Sequence, residues 1–150
     1  MKNFFKLLGI IALVAVIGFS MAACKNDDEG GGTDPALNGT WVQTITSGSY
    51  TYTTEIKLNN GNIEESRGQN GMSLSPIYKG TYTTSGNSIS VQMTHYYHRA
   101  NWLTKDQLKS AQGTGMSDTD IDLIFKSVTA IWSVSGNTLT LAGLTYTRKS

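Results

Sequence analysis

Few side chains in this sequence have types and spacings that do chemistry, and each group meets a geometric test. His95-Tyr96-Tyr97-His98 sets two imidazoles three residues apart. On a strand such residues face opposite sides, so the pair cannot converge on one metal ion. Asp118, Asp120 and Asp122 have the D-x-D-x-D spacing of a calcium loop, but Leu123 and Thr129 stand where that loop needs Gly and a bidentate Glu. Acids in a first helical turn, where the helix dipole favours negative charge, account for the run. Glu64 and Glu65 are adjacent, hence on opposite faces of a strand, and fail as a catalytic pair. No Gly-x-Ser-x-Gly elbow occurs, and no glycine-rich phosphate loop follows a strand. The expectation is a protein that is not an enzyme and uses no metal or other cofactor.

The elements that would position any site begin beyond an export segment. Lys2 and Lys6 precede a run of uncharged, mostly apolar residues, Leu7 to Phe19, followed by Ser20-Met21-Ala22-Ala23-Cys24. A basic start, a short apolar stretch and small residues at a cleavage point compose a secretory signal over residues 1–23. As a helix the apolar run rises about 20 Å against a hydrocarbon core of about 30 Å, too short to span it. Counting on to Ala23 gives a marginal span, so an uncleaved anchor is the competing reading. The chain has 150 residues with 12 basic and 11 acidic groups, which leaves no electrostatic footprint for nucleic acid. Its one cysteine, Cys24, excludes an internal disulfide and a Cys-rich metal site.

Met21-Ala22-Ala23-Cys24 resembles the lipobox of bacterial lipoproteins, with Met21 where Leu is usual. The resemblance implies diacylglycerol on the Cys24 thiol, cleavage just before it, labelling by palmitate and a membrane anchor. Two or more acyl chains hold stably where one does not. An ordinary signal peptide would leave a free thiol on an exported protein. Lys25, where an inner-membrane retention signal would often have Asp, implies by the same resemblance an outer-membrane lipoprotein on the periplasmic or surface side. Residues 24–36 carry four acids and three consecutive glycines and read as a flexible tether, with an acidic metal-binding tail as the weaker alternative.

Residues 37–150 read as one all-β domain. Tyr50 to Leu58 alternates, with Tyr50, Tyr52, Ile56 and Leu58 on one face, and Asn60-Gly61 supplies a tight turn. Tyr82 to Val91 echoes Trp132 to Leu141: each has an aromatic, a Ser-Gly-Asn turn and a strand of alternating small polar and aliphatic residues. Eight strands are predicted, at 40–46, 50–58, 62–66, 76–84, 88–97, 129–134, 138–142 and 144–149. They suit a sandwich or a small antiparallel up-and-down barrel. Between the fifth and sixth strands, Arg99 to Ser127 holds the only helical signals. A capping box at Thr104–Gln107 precedes Leu108, and a second helix starts at Ser117 with Ile121, Ile124, Phe125 and Val128 on one face. These helices could cover a barrel mouth or pack on the outer wall. Parity directs Gln43, Tyr52, Tyr78, Tyr82, Met93, His95, Tyr97, Trp132 and Tyr146 inward beside Trp41.

Leu37-Asn38-Gly39-Thr40-Trp41 resembles the Gly-x-Trp start of lipocalin-like domains, and Arg148 on the last strand matches the arginine that covers that tryptophan in the family. The resemblance implies a lipocalin-like eight-stranded barrel closed by Trp41 and Arg148. It also implies non-covalent binding of a small hydrophobic ligand, with Gln43, Tyr52, Tyr82, Met93, His95, Tyr97, Trp132 and Tyr146 as the lining. The long insertion and the lack of a helix after the last strand depart from the family and argue against a deep cavity. A side-chain-filled barrel acting as a protein-interaction or structural module is the alternative.

Overall fold

The computed structural model describes residues 32–111 and 114–150. The expected signal at 1–23, Cys24, the first part of the tether, and Gln112 and Gly113 between the helices lie outside the described residues. Among the described residues there are nine strands: β1 Gly39–Ser47, β2 Tyr50–Asn59, β3 Asn62–Gln69, β4 Ser75–Ser85, β5 Ser88–His98, β6 Asn101–Leu103, β7 Val128–Ser135, β8 Thr138–Leu141 and β9 Leu144–Arg148. Two short helices, α1 Lys105–Ser110 and α2 Asp118–Ile124, lie between β6 and β7.

Every neighbouring pair is antiparallel, and the order β4-β3-β2-β1-β9-β8-β7-β5 closes through a β4–β5 ladder into an eight-stranded up-and-down barrel. Closure removes the unpaired edges that an open sheet would expose. The closing β1–β9 ladder has two residue pairs, Trp41 with Arg148 and Val42 with Thr147, extended by a bond from Lys149 N to Thr40 O. Beside it Lys149 Nζ reaches Glu55 Oε2 at 2.7 Å, tying the last strand to β2 on the outer wall. The remaining strand, β6, lies outside this closure and pairs with the far end of β5.

The inner faces of the strands meet in one core around Leu37, Trp41, Ile56, Leu58, Ile63, Tyr82, Ile89, Trp132, Leu139 and Tyr146. The lower end of the barrel, at the Asn60-Gly61 turn, is sealed by a 3-10 turn, Pro35–Leu37, whose Leu37 is fully buried. Asp34 caps that turn, its side chain accepting from Ala36 N, and Pro35 stands where no N–H is needed. Gly32 pairs with Thr84, and Asp34 N donates to Thr84 Oγ1. The barrel therefore holds the last residues of the expected tether, from Gly32 onward.

Both helices begin with capping boxes, Thr104 with Gln107 and Ser117 with Asp120. Leu108, Ile121 and Phe125 form a second small core with Tyr96, Leu103, Met116 and Ile124. The insertion thus packs where β5 runs past β7 and onto β6. Val128 does not join the helical face expected for it. It opens β7 opposite Val91 and is exposed, because α2 ends at Ile124.

Candidate functional site

β3 extends three residues beyond the expected 62–66, and this extension carries a charge into the barrel. Its register with β2 sets Ile63 opposite Leu58, Glu65 opposite Ile56 and Arg67 opposite Thr54, all on the inner face. Glu64, one residue off, faces outward. Glu65 accepts a hydrogen bond from Arg67 Nε, a two-residue pairing along one face, with both side chains largely covered. The Arg67 guanidinium carbon stands 5.8 Å from the centroid of Tyr78, within cation–π range. Tyr96 meets Tyr78 at 5.5 Å between ring centroids.

The electrostatics of this cluster are those of a shielded interior. Burial, opposed by Arg67, pushes the Tyr78 phenol up to about 12. Burial and then the Glu65 charge take Tyr146 to about 12, and burial raises Tyr96. Burial lowers the affinity of Arg67 for its proton, but Glu65 and Tyr78 outweigh it and the guanidinium is held more firmly charged. The three phenols are neutral hydrogen-bond donors at any physiological pH. Burial also leaves two unmet donors or acceptors: Trp132 Nε1 and His98 Nε2 have no hydrogen-bond partner among the described residues. Trp132 is 7% exposed and lies on the inner wall opposite Leu141. Buried polar atoms in proteins are nearly always paired, which makes the indole N–H on the inner wall and the imidazole nitrogen at the β5–β6 end the two exceptions among the described residues.

No family model, curated protein or solved structure matches this chain. Its site is therefore read from its own geometry.

The lining expected from parity divides into three groups. Tyr52 is inward at the upper end, opposite Gln69, and Gln43 donates to Thr145 O. Met93, Trp132 and Tyr146 belong to or pack on the main core. Tyr82 is in the floor, its hydroxyl directed to Asn38 Oδ1 at 3.3 Å, with burial holding the phenol above its ordinary value.

His95 and Tyr97 are corrections: both face outward. The β4–β5 ladder pairs Gly80 with Met93 but Lys79 with His95, so Thr94 is an extra residue on β5. A bulge of this kind reverses the parity beyond it. Tyr96 and His98 take the inner positions instead. The bulge is recorded in the sequence at Gly80, where a Cβ would lie 2.2 Å from Gln92 O. A mid-strand glycine is the usual mark of such a close approach, and it is the signal from which Tyr96 could have been found. Glu65 and Arg67 had a signal too, since they continue the alternation begun at Ile63.

At the lower end, Trp41 is fully buried and donates its indole N–H to Leu37 O at 2.8 Å. Arg148 covers its ring at 4.2 Å and donates to Asn38 O at 2.7 Å and Ala36 O at 3.0 Å. This end is a plug. The aspartates of the insertion hold structure: the Asp120 carboxylate accepts from the backbone N–H of Ser117, the residue that caps α2, and Asp122 bridges Lys105 and Lys109 at 3.0 and 2.7 Å. Two hollows, of about 170 and 290 Å³, open on the outer wall of β3, β4 and β5.

Proposed function

We propose that this chain is a lipid-anchored envelope protein whose barrel receives a small, partly apolar molecule bearing a hydrogen-bond acceptor. The anchor rests on the lipobox-like Met21-Ala22-Ala23-Cys24, with diacylglycerol on Cys24 and the outer membrane as the destination favoured by Lys25. The ligand reading rests on the buried, unpartnered indole N–H of Trp132 on an inner wall that also carries the Arg67–Glu65 pair and the neutral phenols of Tyr78, Tyr96 and Tyr146. Aromatic walls with few polar groups suit such a guest. Binding is non-covalent, with no catalytic step and no cofactor. The alternative, an interaction or structural module of the envelope, draws on the packed lower half and on the exposed Ile45, Tyr50 and Met72 near the upper hairpin tips.

Mass spectrometry of protein purified gently from its native host separates the two. A stoichiometric co-purifying small molecule, lost in Trp132→Phe, supports the carrier. Repeated absence of one, with no thermal shift across a lipid and metabolite panel, removes it. The anchor is tested separately: Cys24→Ala should abolish labelling by a palmitate analogue, and undiminished labelling would refute lipidation.

A further inference from the structure

The bulge that expels His95 from the barrel also builds something outside it. Two irregularities, between Glu65 and Ser66 in the β3–β4 ladder and between Lys79 and Gly80 in the β4–β5 ladder, bend the wall around β4. Between them lies the hollow of about 290 Å³, lined by Asn62, Glu64, Lys79, Thr81, Thr94 and His95. Glu64, Lys79 and His95 are directly opposite one another on three successive strands, a row of carboxylate, ammonium and imidazole.

The hydrogen bonds around this row define which groups are free. Thr94 Oγ1 donates its one proton to Lys79 O at 3.2 Å, so its 2.9 Å contact with His95 Nδ1 requires the imidazole to donate there. The neutral ring then presents Nε2 as an acceptor. Burial first, and Lys79 second, hold His95 below its ordinary pKa, which favours that neutral form. Lys79 makes no ion pair with Glu64 among the described residues; its ammonium stands 4.8 Å from the ring centroid of Trp102, which packs edge-on against Tyr97. The row therefore offers two acceptors, Glu64 and His95 Nε2, flanking a donor, Lys79, with hydroxyl and amide groups around them. A divalent metal is disfavoured by the ammonium between the acceptors. A phosphate is disfavoured by the carboxylate.

We infer that this outer hollow is a second binding site, independent of the barrel interior, for a neutral pyranose unit of a glycan. Sugar hydroxyls are donors and acceptors at once. Adjacent hydroxyls donate to Glu64 and His95 and accept from Lys79, matching the alternation in the row. The volume lies at the lower limit of small-ligand pockets, in keeping with one or two sugar rings.

The test is titration of the full-length protein with glucose, N-acetylglucosamine, cellobiose and chitobiose, followed by calorimetry and by the imidazole NMR signals of His95. At least one sugar should bind saturably and shift the His95 resonances. Glu64→Gln and Lys79→Met should each weaken it at least fivefold, whereas Asp122→Asn, in the helical insertion, should leave it unchanged. No saturable binding up to about 20 mM of any of the four overturns the site. Binding that leaves His95 unmoved overturns it too, and that reading needs no variant to fold. Preference for glucuronic acid over glucose would overturn the neutral-sugar assignment.

Discussion

Arg148 and Trp41 are opposite each other in the shortest ladder of the barrel, and the guanidinium lies 4.2 Å from the centre of the indole. One side chain therefore closes the wall, covers the ring and holds the carbonyls of Ala36 and Asn38 in the entering chain. Removing it exposes an aromatic face and orphans two acceptors. Hydrogen bonds from a charged donor and a cation–π contact together put the cost of Arg148→Ala at about 3 kcal/mol. Arg148→Lys keeps the charge but not the two-pronged donor, and should lose about half as much. Urea unfolding measures both; equal stability of Arg148→Ala and the parent chain would show that the seam does not depend on this pair.

Gly39 and Gly80 serve close approaches of different kinds. A Cβ on Gly39 would lie 2.7 Å from Arg148 Nη1, a side-chain end that can shift only by giving up its bond to Asn38 O, and the backbone there has φ of +146°. A Cβ on Gly80 would meet the backbone of Gln92 and Met93, which cannot move without breaking the β4–β5 ladder. Gly80→Ala should therefore cost the more, about 3 kcal/mol or failure to fold, against about 2 kcal/mol for Gly39→Ala. The order of the two melting temperatures is the measurement, and the reverse order would contradict the bulge geometry.

The barrel was legible from its turns and alternation because each strand buries one face, and period two writes that burial into the sequence. Tyr50 to Leu58 shows it plainly. What could not be read by simple parity lay beyond the irregularity at Thr94, where one extra residue exchanges His95 and Tyr97 for Tyr96 and His98 on the inner face. Arg67 is masked for another reason. A charged residue at the end of a strand looks like an exposed terminus even where the alternation from Ile63 continues through it, and the length of β3 and the partner at Glu65 give it an interior place. The helical insertion had visible caps, but its docking surface is set by Tyr96 and Leu103, residues whose own orientation depends on the bulge and on β6.

Glu65 and Arg67 can be separated energetically. Either charge alone inside the barrel is costly, whereas two apolar residues of similar size can replace a covered pair at little loss. Glu65→Leu and Arg67→Leu should each destabilise by about 2 kcal/mol, and the double variant by less than their sum, a coupling of about 1 kcal/mol or more. Additive losses in urea melts would mean that the two side chains do not act as a pair.

The interior tyrosines predict an alkaline limit to stability. In the unfolded chain each phenol ionises near its ordinary value of 10.0, whereas Tyr78 and Tyr146 in the barrel retain their protons to about 12. Between these values the unfolded state binds fewer protons than the folded one, so folding stability is fully present below about pH 10 and falls as pH rises toward 12. Each tyrosine contributes a slope of up to about 1.4 kcal/mol per pH unit in that window, an upper figure since both retain some contact with solvent. Ultraviolet titration of the native protein should show a class of phenols ionising well above the ordinary value of 10.0, with unfolding midpoints in urea declining from pH 10 upward. Tyr78→Phe should flatten that decline without affecting stability at neutral pH by more than about 1 kcal/mol, because the lost hydroxyl has no protein partner among the described residues. Simultaneous ionisation of all tyrosines near pH 10 in the folded protein would place Tyr78 and Tyr146 in open water and undo the shielded interior on which the ligand reading depends.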